Sequence, residues 1–178
     1  MRYLLPVAVL ALAACSQPSA EQESVDDFAS RIGQQGGAQQ LDPSQPDPNA
    51  PNVAKAAPPA NVDLTTLQQL GDVGGVNLGP REGGCTFMAG EKEMLIAAGM
   101  NEPTLPGKAV VRVGDTLVMT DSAPGGLAAI KGGTTFSGEG FKVQVTPQGG
   151  QAQSRPATIT VTDATGKSQS YSGNWICA

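Results

Sequence analysis

The chain has 178 residues, with 23 glycines, 14 prolines, 4% aromatic residues, no histidine and a formal charge of −5. Lack of histidine excludes Ser-His-Asp and Cys-His nucleophile systems and any His-ligated metal centre. Residues 83–178 balance seven acids with seven bases, and most of the excess acid lies in residues 16–60, so no basic patch suits phosphate neutralisation and nucleic acid is not an expected partner.

At the start, Arg2 precedes the apolar run Tyr3–Ala11, which closes on Leu12-Ala13-Ala14-Cys15. A membrane span needs about 20 apolar residues, and Ser16-Gln17-Pro18-Ser19 turns polar sooner. The outline is that of a secretory signal with a cysteine at the cleavage boundary. It resembles the lipobox of bacterial lipoproteins, which is Leu, a small residue, Ala or Gly, then the lipidated Cys. The resemblance implies removal of residues 1–14, a diacylglycerol thioether on Cys15 and acylation of its new amino group. Such an anchor holds a protein on a membrane without spanning it. Ser16 stands where enteric lipoproteins retained in the inner membrane carry Asp. In a two-membrane bacterium the resemblance therefore implies the periplasmic leaflet of the outer membrane, with the inner membrane as the alternative.

Residues 15–60 read as the lipidated cysteine followed by a disordered tether. Gln34-Gln35-Gly36-Gly37-Ala38-Gln39-Gln40 is low in complexity, and Pro43, Pro46, Pro48, Pro51, Pro58 and Pro59 follow closely. Such composition does not bury enough apolar surface to offset its ordering entropy. About 45 residues of this kind reach roughly 35–40 Å as a coil and ~140 Å if fully polyproline-like. Within it, Val25, Phe28 and Ile32 share one helical face, over a length too short to be stable alone.

Residues 61–82 read as a collar. Asp63 is placed to cap a short helix carrying Leu64, Leu67 and Leu70 on one face, with Gly71 ending it. Asp72–Gly84 then reads as a loop that turns Val73, Val76 and Leu78 toward an apolar surface.

Residues 83–178 alternate β-rich runs with turn signals. Cys85–Met88 leads through Ala89-Gly90-Glu91 to Glu93–Ala98, read as a strand pairing back despite its helix propensity. Ala109–Val113 meets Thr116–Met119 across Gly114-Asp115, a hairpin connection of the Gly-X kind. Phe141, Val143 and Val145 share one face, as do Ala157, Ile159 and Val161. In the last run Tyr171, Gly173, Trp175 and Cys177 share a parity, which places the single tryptophan on the core side. The fold class is all-β, a small antiparallel barrel or sandwich.

With Cys15 assigned to lipid, Cys85 and Cys177 remain as an even pair in an exported chain and read as a disulfide. Closing a loop of about 93 residues removes roughly 4–5 kcal/mol of unfolded-state entropy in the chain-entropy model. The bridge joins the first and last β-runs and so closes the sheet.

The remaining chemistry is sparse. Glu91 and Glu93, or Asp115 and Asp121, form the carboxylate pairs a hydrolase would need, but each reads more simply as a solvated hairpin residue. Gly125-Gly126, Gly132-Gly133 and Gly149-Gly150 lack the Lys-Ser/Thr of a phosphate loop and read as turns. Asp163-x-x-Gly166 falls short of a calcium loop. No cofactor or metal is expected.

The layout resembles the membrane-bound lysozyme inhibitors, eight-stranded β-barrels that plug a lysozyme active site. The resemblance covers residues 83–178 and is architectural. That family's inhibitory loop is a Ser-Gly segment with an aromatic three residues on, then a Lys-Gly element. Here Phe141 comes one residue late after Ser137-Gly138, and Lys131-Gly132 precedes them, so no inhibitory residue carries over. The expected function is a non-enzymatic binding or envelope-maintenance role at the membrane, with an envelope protein or cell-wall component as partner; lysozyme-type inhibition and a carboxylate-dependent hydrolase are the alternatives.

Overall fold

The computed structural model describes residues 51–150 and 152–178. The expected lipobox with Cys15, the expected helical face of Val25, Phe28 and Ile32, and residues 15–50 of the expected tether lie outside them.

Alternating apolar and polar residues give strands β2 (Gly83–Ala89), β3 (Lys92–Gly99), β4 (Pro106–Val113), β5 (Thr116–Pro124), β6 (Thr135–Gly138), β7 (Phe141–Pro147), β8 (Ser154–Asp163) and β9 (Ser168–Cys177), preceded by a two-residue strand β1 (Leu67–Gln68). From β2 to β9 each strand pairs antiparallel with its sequence neighbours. β9 then returns to β2, with Cys85 opposite Cys177 and Phe87 opposite Trp175. The ring is closed. Of the two architectures the pattern allowed, it is the barrel, and Cys85 and Cys177 are bonded across its closing pair with their Cα atoms 4.0 Å apart.

The hairpins follow the turn chemistry. Gly114 takes φ +56 in the turn that pairs Val113 with Thr116, a conformation a side chain would oppose. Inward residues fill the lumen: Phe87, Leu95, Val111, Val118, Phe136, Val143, Ile159, Val161 and Trp175 are all fully buried in one cluster. Trp175 lies on the core side, as its parity requires.

One helix was not legible. Residues Gly126–Gly132 form α1, where the flanking glycine pairs read as plain turns. Its Leu127 and Ile130 are buried against the barrel's end, and the Trp175 indole N–H donates to the Ile130 carbonyl at 3.1 Å. Docking depends on missing side chains. A Cβ on Gly107 would stand 2.5 Å from Ile130 Cδ1, and one on Gly99 would stand 2.8 Å away.

The collar helix is absent. Asp63 Oδ1 instead accepts the Thr65 N–H (3.0 Å) and hydroxyl (2.7 Å), closing a local turn. The chain then runs extended, with Thr65 and Leu67 buried and Thr66 and Gln68 exposed. Leu67 joins the lumen cluster, whereas Leu70 joins a second cluster outside the wall. The leucine spacing matched a helical face, but Asp63-Thr65-Thr66 favours side-chain-to-backbone bonding over helix.

The tether assignment also ends too late. Ala54 is buried, the Lys55 N–H donates to the Leu117 carbonyl, and the Met119 N–H donates to the Lys55 carbonyl, both at 2.8 Å. Asn52 Nδ2 donates to the Asn77 carbonyl at 2.7 Å. Residues 51–82 form a strap on the barrel, and Val73, Val76 and Leu78 do meet an apolar surface, made by Ala98, Val110 and Leu117. No helix among the described residues is long and apolar enough to cross a membrane.

Three outcomes check this arrangement. Ile130→Ala should cost about 2–5 kcal/mol in denaturant unfolding, since it empties the space that Gly99 and Gly107 leave for it. Denatured protein isolated without reductant should show no free thiol at Cys85 or Cys177. Reduction should lower stability by up to about 4–5 kcal/mol, with Trp175 emission moving red.

Candidate functional site

Strand alternation turns Gly84, Thr86 and Met88 of β2, Ile96 and Ala98 of β3, and Ile176 of β9 toward the outside of the wall. A barrel facing water there would carry polar residues. Strap residues Val73, Val76 and Leu78 cover part of this face, and beside them an open trough of about 830 Å³ remains. Its walls are largely Val76, Leu78, Met88, Ile96 and Ile176, with Thr86 as a polar interruption. Ile176 is 40% exposed.

A bulge sets one end. Pairing slips between Phe87 and Met88, so that Phe87 faces Leu95 while Met88 faces Glu93. The extra residue, Met94, is buried with the lumen cluster, and the slip returns Glu93 to the outer face beside Met88. Simple alternation would have put Glu93 on the inner side with Leu95. Glu93 is half-buried in the trough lining, and Arg81 stands just before β2 at the other end. Neither side chain makes a hydrogen bond or ion pair with another described residue. Their neighbours are engaged: Glu82 accepts the Asn101 N–H at 2.7 Å, and Lys108 pairs with Asp121 at 2.8 Å.

A polar latch holds the strap to the β8–β9 hairpin. The Tyr171 hydroxyl donates to the Thr65 carbonyl (3.0 Å) and accepts the Leu67 N–H (2.8 Å). Lys167 Nζ meets Asp63 Oδ2 at 2.7 Å. The Lys167 ammonium first, then the Thr65 hydroxyl and N–H, hold the Asp63 carboxyl well below the usual range, and Asp63 in turn raises Lys167. Burial raises the Tyr171 phenol, opposed by the Leu67 N–H. Asp163 is lowered, chiefly by the Thr165 hydroxyl, inside the turn read from Asp163-x-x-Gly166.

The sequence candidates fall in different places. The Cys85–Cys177 disulfide lies in the trough lining. Glu91 sits in the exposed β2–β3 turn and Asp115 in the β4–β5 turn, while Asp121 is taken by Lys108. Glu91 and Glu93 therefore do not share a strand face. Among the described residues no cluster of three or more His, Cys, Asp or Glu is placed to hold a metal. Ser137 and Gly138 end β6 at a tight turn, and Phe141 points into the lumen, 3% exposed, so no aromatic is presented with that Ser-Gly pair. Lys131 and Gly132 belong to the end of α1.

The trough itself had a signal in the sequence. Cys85–Met88 and Glu93–Ala98 carry apolar residues at both parities, as strands covered on both faces do. No protein-family model, curated protein or solved structure matches the chain, and the site is read from its own chemistry.

Tyr171→Phe should lower stability by about 1–3 kcal/mol in thermal unfolding, because the Leu67 N–H and Thr65 carbonyl both lose their partner. Because the folded carboxyls of Asp63 and Asp163 are depressed, their contribution is full above the unfolded value of about 3.9 and is lost as pH falls below it. Unfolding midpoints should hold steady through neutral pH and drop under acid, and Asp63→Asn should flatten that drop.

Proposed function

We propose that this is a lipid-anchored envelope protein whose barrel is a non-enzymatic binding domain, displayed in the periplasm from the outer membrane's inner leaflet through Cys15. The observation that carries the binding reading is the trough. The lumen is filled with side chains and one end carries α1, while the outer wall offers a partner an open, largely apolar concavity among the described residues. Concave apolar surface with a few convergent polar groups is the usual form of a contact site. The lipobox residues Leu12-Ala13-Ala14-Cys15 support the anchor, and a bonded Cys85–Cys177 pair suits an oxidising compartment.

A second reading, inhibition of a lysozyme-type enzyme, is favoured by one feature alone, the eight-stranded ring bridged between its first and last strands. The burial of Phe141 and the place of Lys131-Gly132 in α1 weigh against it.

Metabolic labelling tests the anchor. Wild-type protein should carry radiolabelled palmitate and fractionate with the outer membrane, and Cys15→Ala should carry none. Label retained on the variant would overturn the anchor; inner-membrane fractionation would overturn the leaflet alone. For the binding role, a photo-crosslinker at Thr86 should capture an envelope component that one at the exposed Glu91 turn does not. Failure of purified protein to slow cell-wall lysis by lysozyme would remove the second reading.

A further inference from the structure

Away from the trough, the outer wall presents a different chemistry. Ala157, Ile159 and Val161 of β8 face the lumen, so Thr158, Thr160 and Thr162 face outward, and β9 sets Ser172, Ser170 and Ser168 directly opposite them. β7 and β6 extend two of these pairs across the sheet, with Gln144 and Thr135 in the row of Thr160, and Lys142 and Ser137 in the row of Thr162. The threonines are half-buried and the other side chains exposed. Solvated faces normally intersperse charges of both signs, yet Lys142 is the one charge in these rows. Glu139, Asp163 and Lys167 lie instead at the hairpin ends. β-Propensity accounts for the threonines but not for three serines in register.

These rows restrict what can lie on them. Thr160 Oγ1 and Ser170 Oγ are 2.9 Å apart, so one hydroxyl donates to the other and the second keeps its proton for an outside acceptor. The face thus donates and accepts without net charge. A polyanion finds only Lys142 to neutralise it, and an acyl chain would strip water from hydroxyls without replacing its hydrogen bonds. An uncharged polyol satisfies both halves of each hydroxyl. Neighbouring strands lie about 4.8 Å apart, close to the rise of one pyranose in an extended β-1,4-linked glycan. The Gln144 carboxamide, within one row, suits an acetamido group through reciprocal N–H···O=C bonds.

We infer that the outer face of β6–β9 binds an extended, neutral β-1,4-linked amino-sugar strand, the glycan chemistry of a cell wall, laid across the strands with one sugar to each. The envelope reading supplies such a partner, but the inference does not rest on the trough.

The test titrates the full chain, labelled with nitrogen-15, with the soluble hexamer of β-1,4-linked N-acetylglucosamine and follows amide shifts. Saturable shifts should centre on Gln144, Thr160 and Ser170. Thr160→Val with Ser170→Ala should weaken binding at least fivefold at an unchanged thermal midpoint. Thr162→Val with Ser168→Ala, in a separate row, should do the same and keeps the test decisive if the first variant folds badly. Lys142→Ala should leave affinity within twofold; loss of binding there would overturn the neutral-glycan assignment. Equal binding of the α-1,4-linked glucose hexamer would overturn the match to an extended strand. Absence of shifts, or binding that survives both double variants, would overturn the site. Shifts confined to Thr86, Met88 and Ile96 would overturn it too, while leaving the trough as the contact surface.

Discussion

Everything described depends on the pairing of β9 with β2. Seven hairpin-like connections bring the chain around, but a meander that stopped there would present two unpaired edges. Setting Phe87 beside Trp175 and bonding Cys85 to Cys177 removes both edges at once. The same strand end then organises the barrel's end. Trp175 is fully buried and its indole N–H needs an acceptor, which the Ile130 carbonyl of α1 supplies. Closure, lumen packing and the position of the helix are one constraint, and that constraint runs through residues 175–177.

A closed ring with a filled lumen has only its outer wall left for recognition. The strap gives that wall relief. Where it lies over Ala98, Val110 and Leu117 it turns the outer face into a second core, and where it leaves Thr86, Met88 and Ile96 only partly covered it leaves a step with apolar sides. The bulge at Met94 adds a charge at a defined place. Groove shape and charge thus come from two departures from a regular barrel, an added covering segment and an added residue, each cheap in sequence.

The strands were legible because period-2 alternation survives wherever one face is wet. β7 and β8 show it plainly, with Phe141, Val143 and Val145 in and their neighbours out. The disulfide was legible by parity and position. α1 was not, because Leu127-Ala128-Ala129-Ile130 is a single turn between glycine pairs with no side-chain cap, and its stability comes from the space opposite Gly99 and Gly107. The strap was misread for a related reason. Leu64, Leu67 and Leu70 serve different surfaces, and spacing alone does not tell three destinations from one helical face. Glu93 was recognised as a charged strand residue, but its direction depends on a register slip that only the pairing of β2 with β3 reveals.

The Lys55 bridge bears on how this protein is divided. β6 pairs with β5 only at Asp121 and Ser122, and along Leu117 to Met119 the same edge of β5 is taken by Lys55 running parallel. A fragment cut at Gly83, where the sequence pattern places the start of the barrel, would free that edge and strip the cover from Val110 and Leu117 together. An open strand edge beside bare aliphatic surface is a template for self-association. Loss of residues 51–82 would therefore show first as aggregation rather than as unfolding.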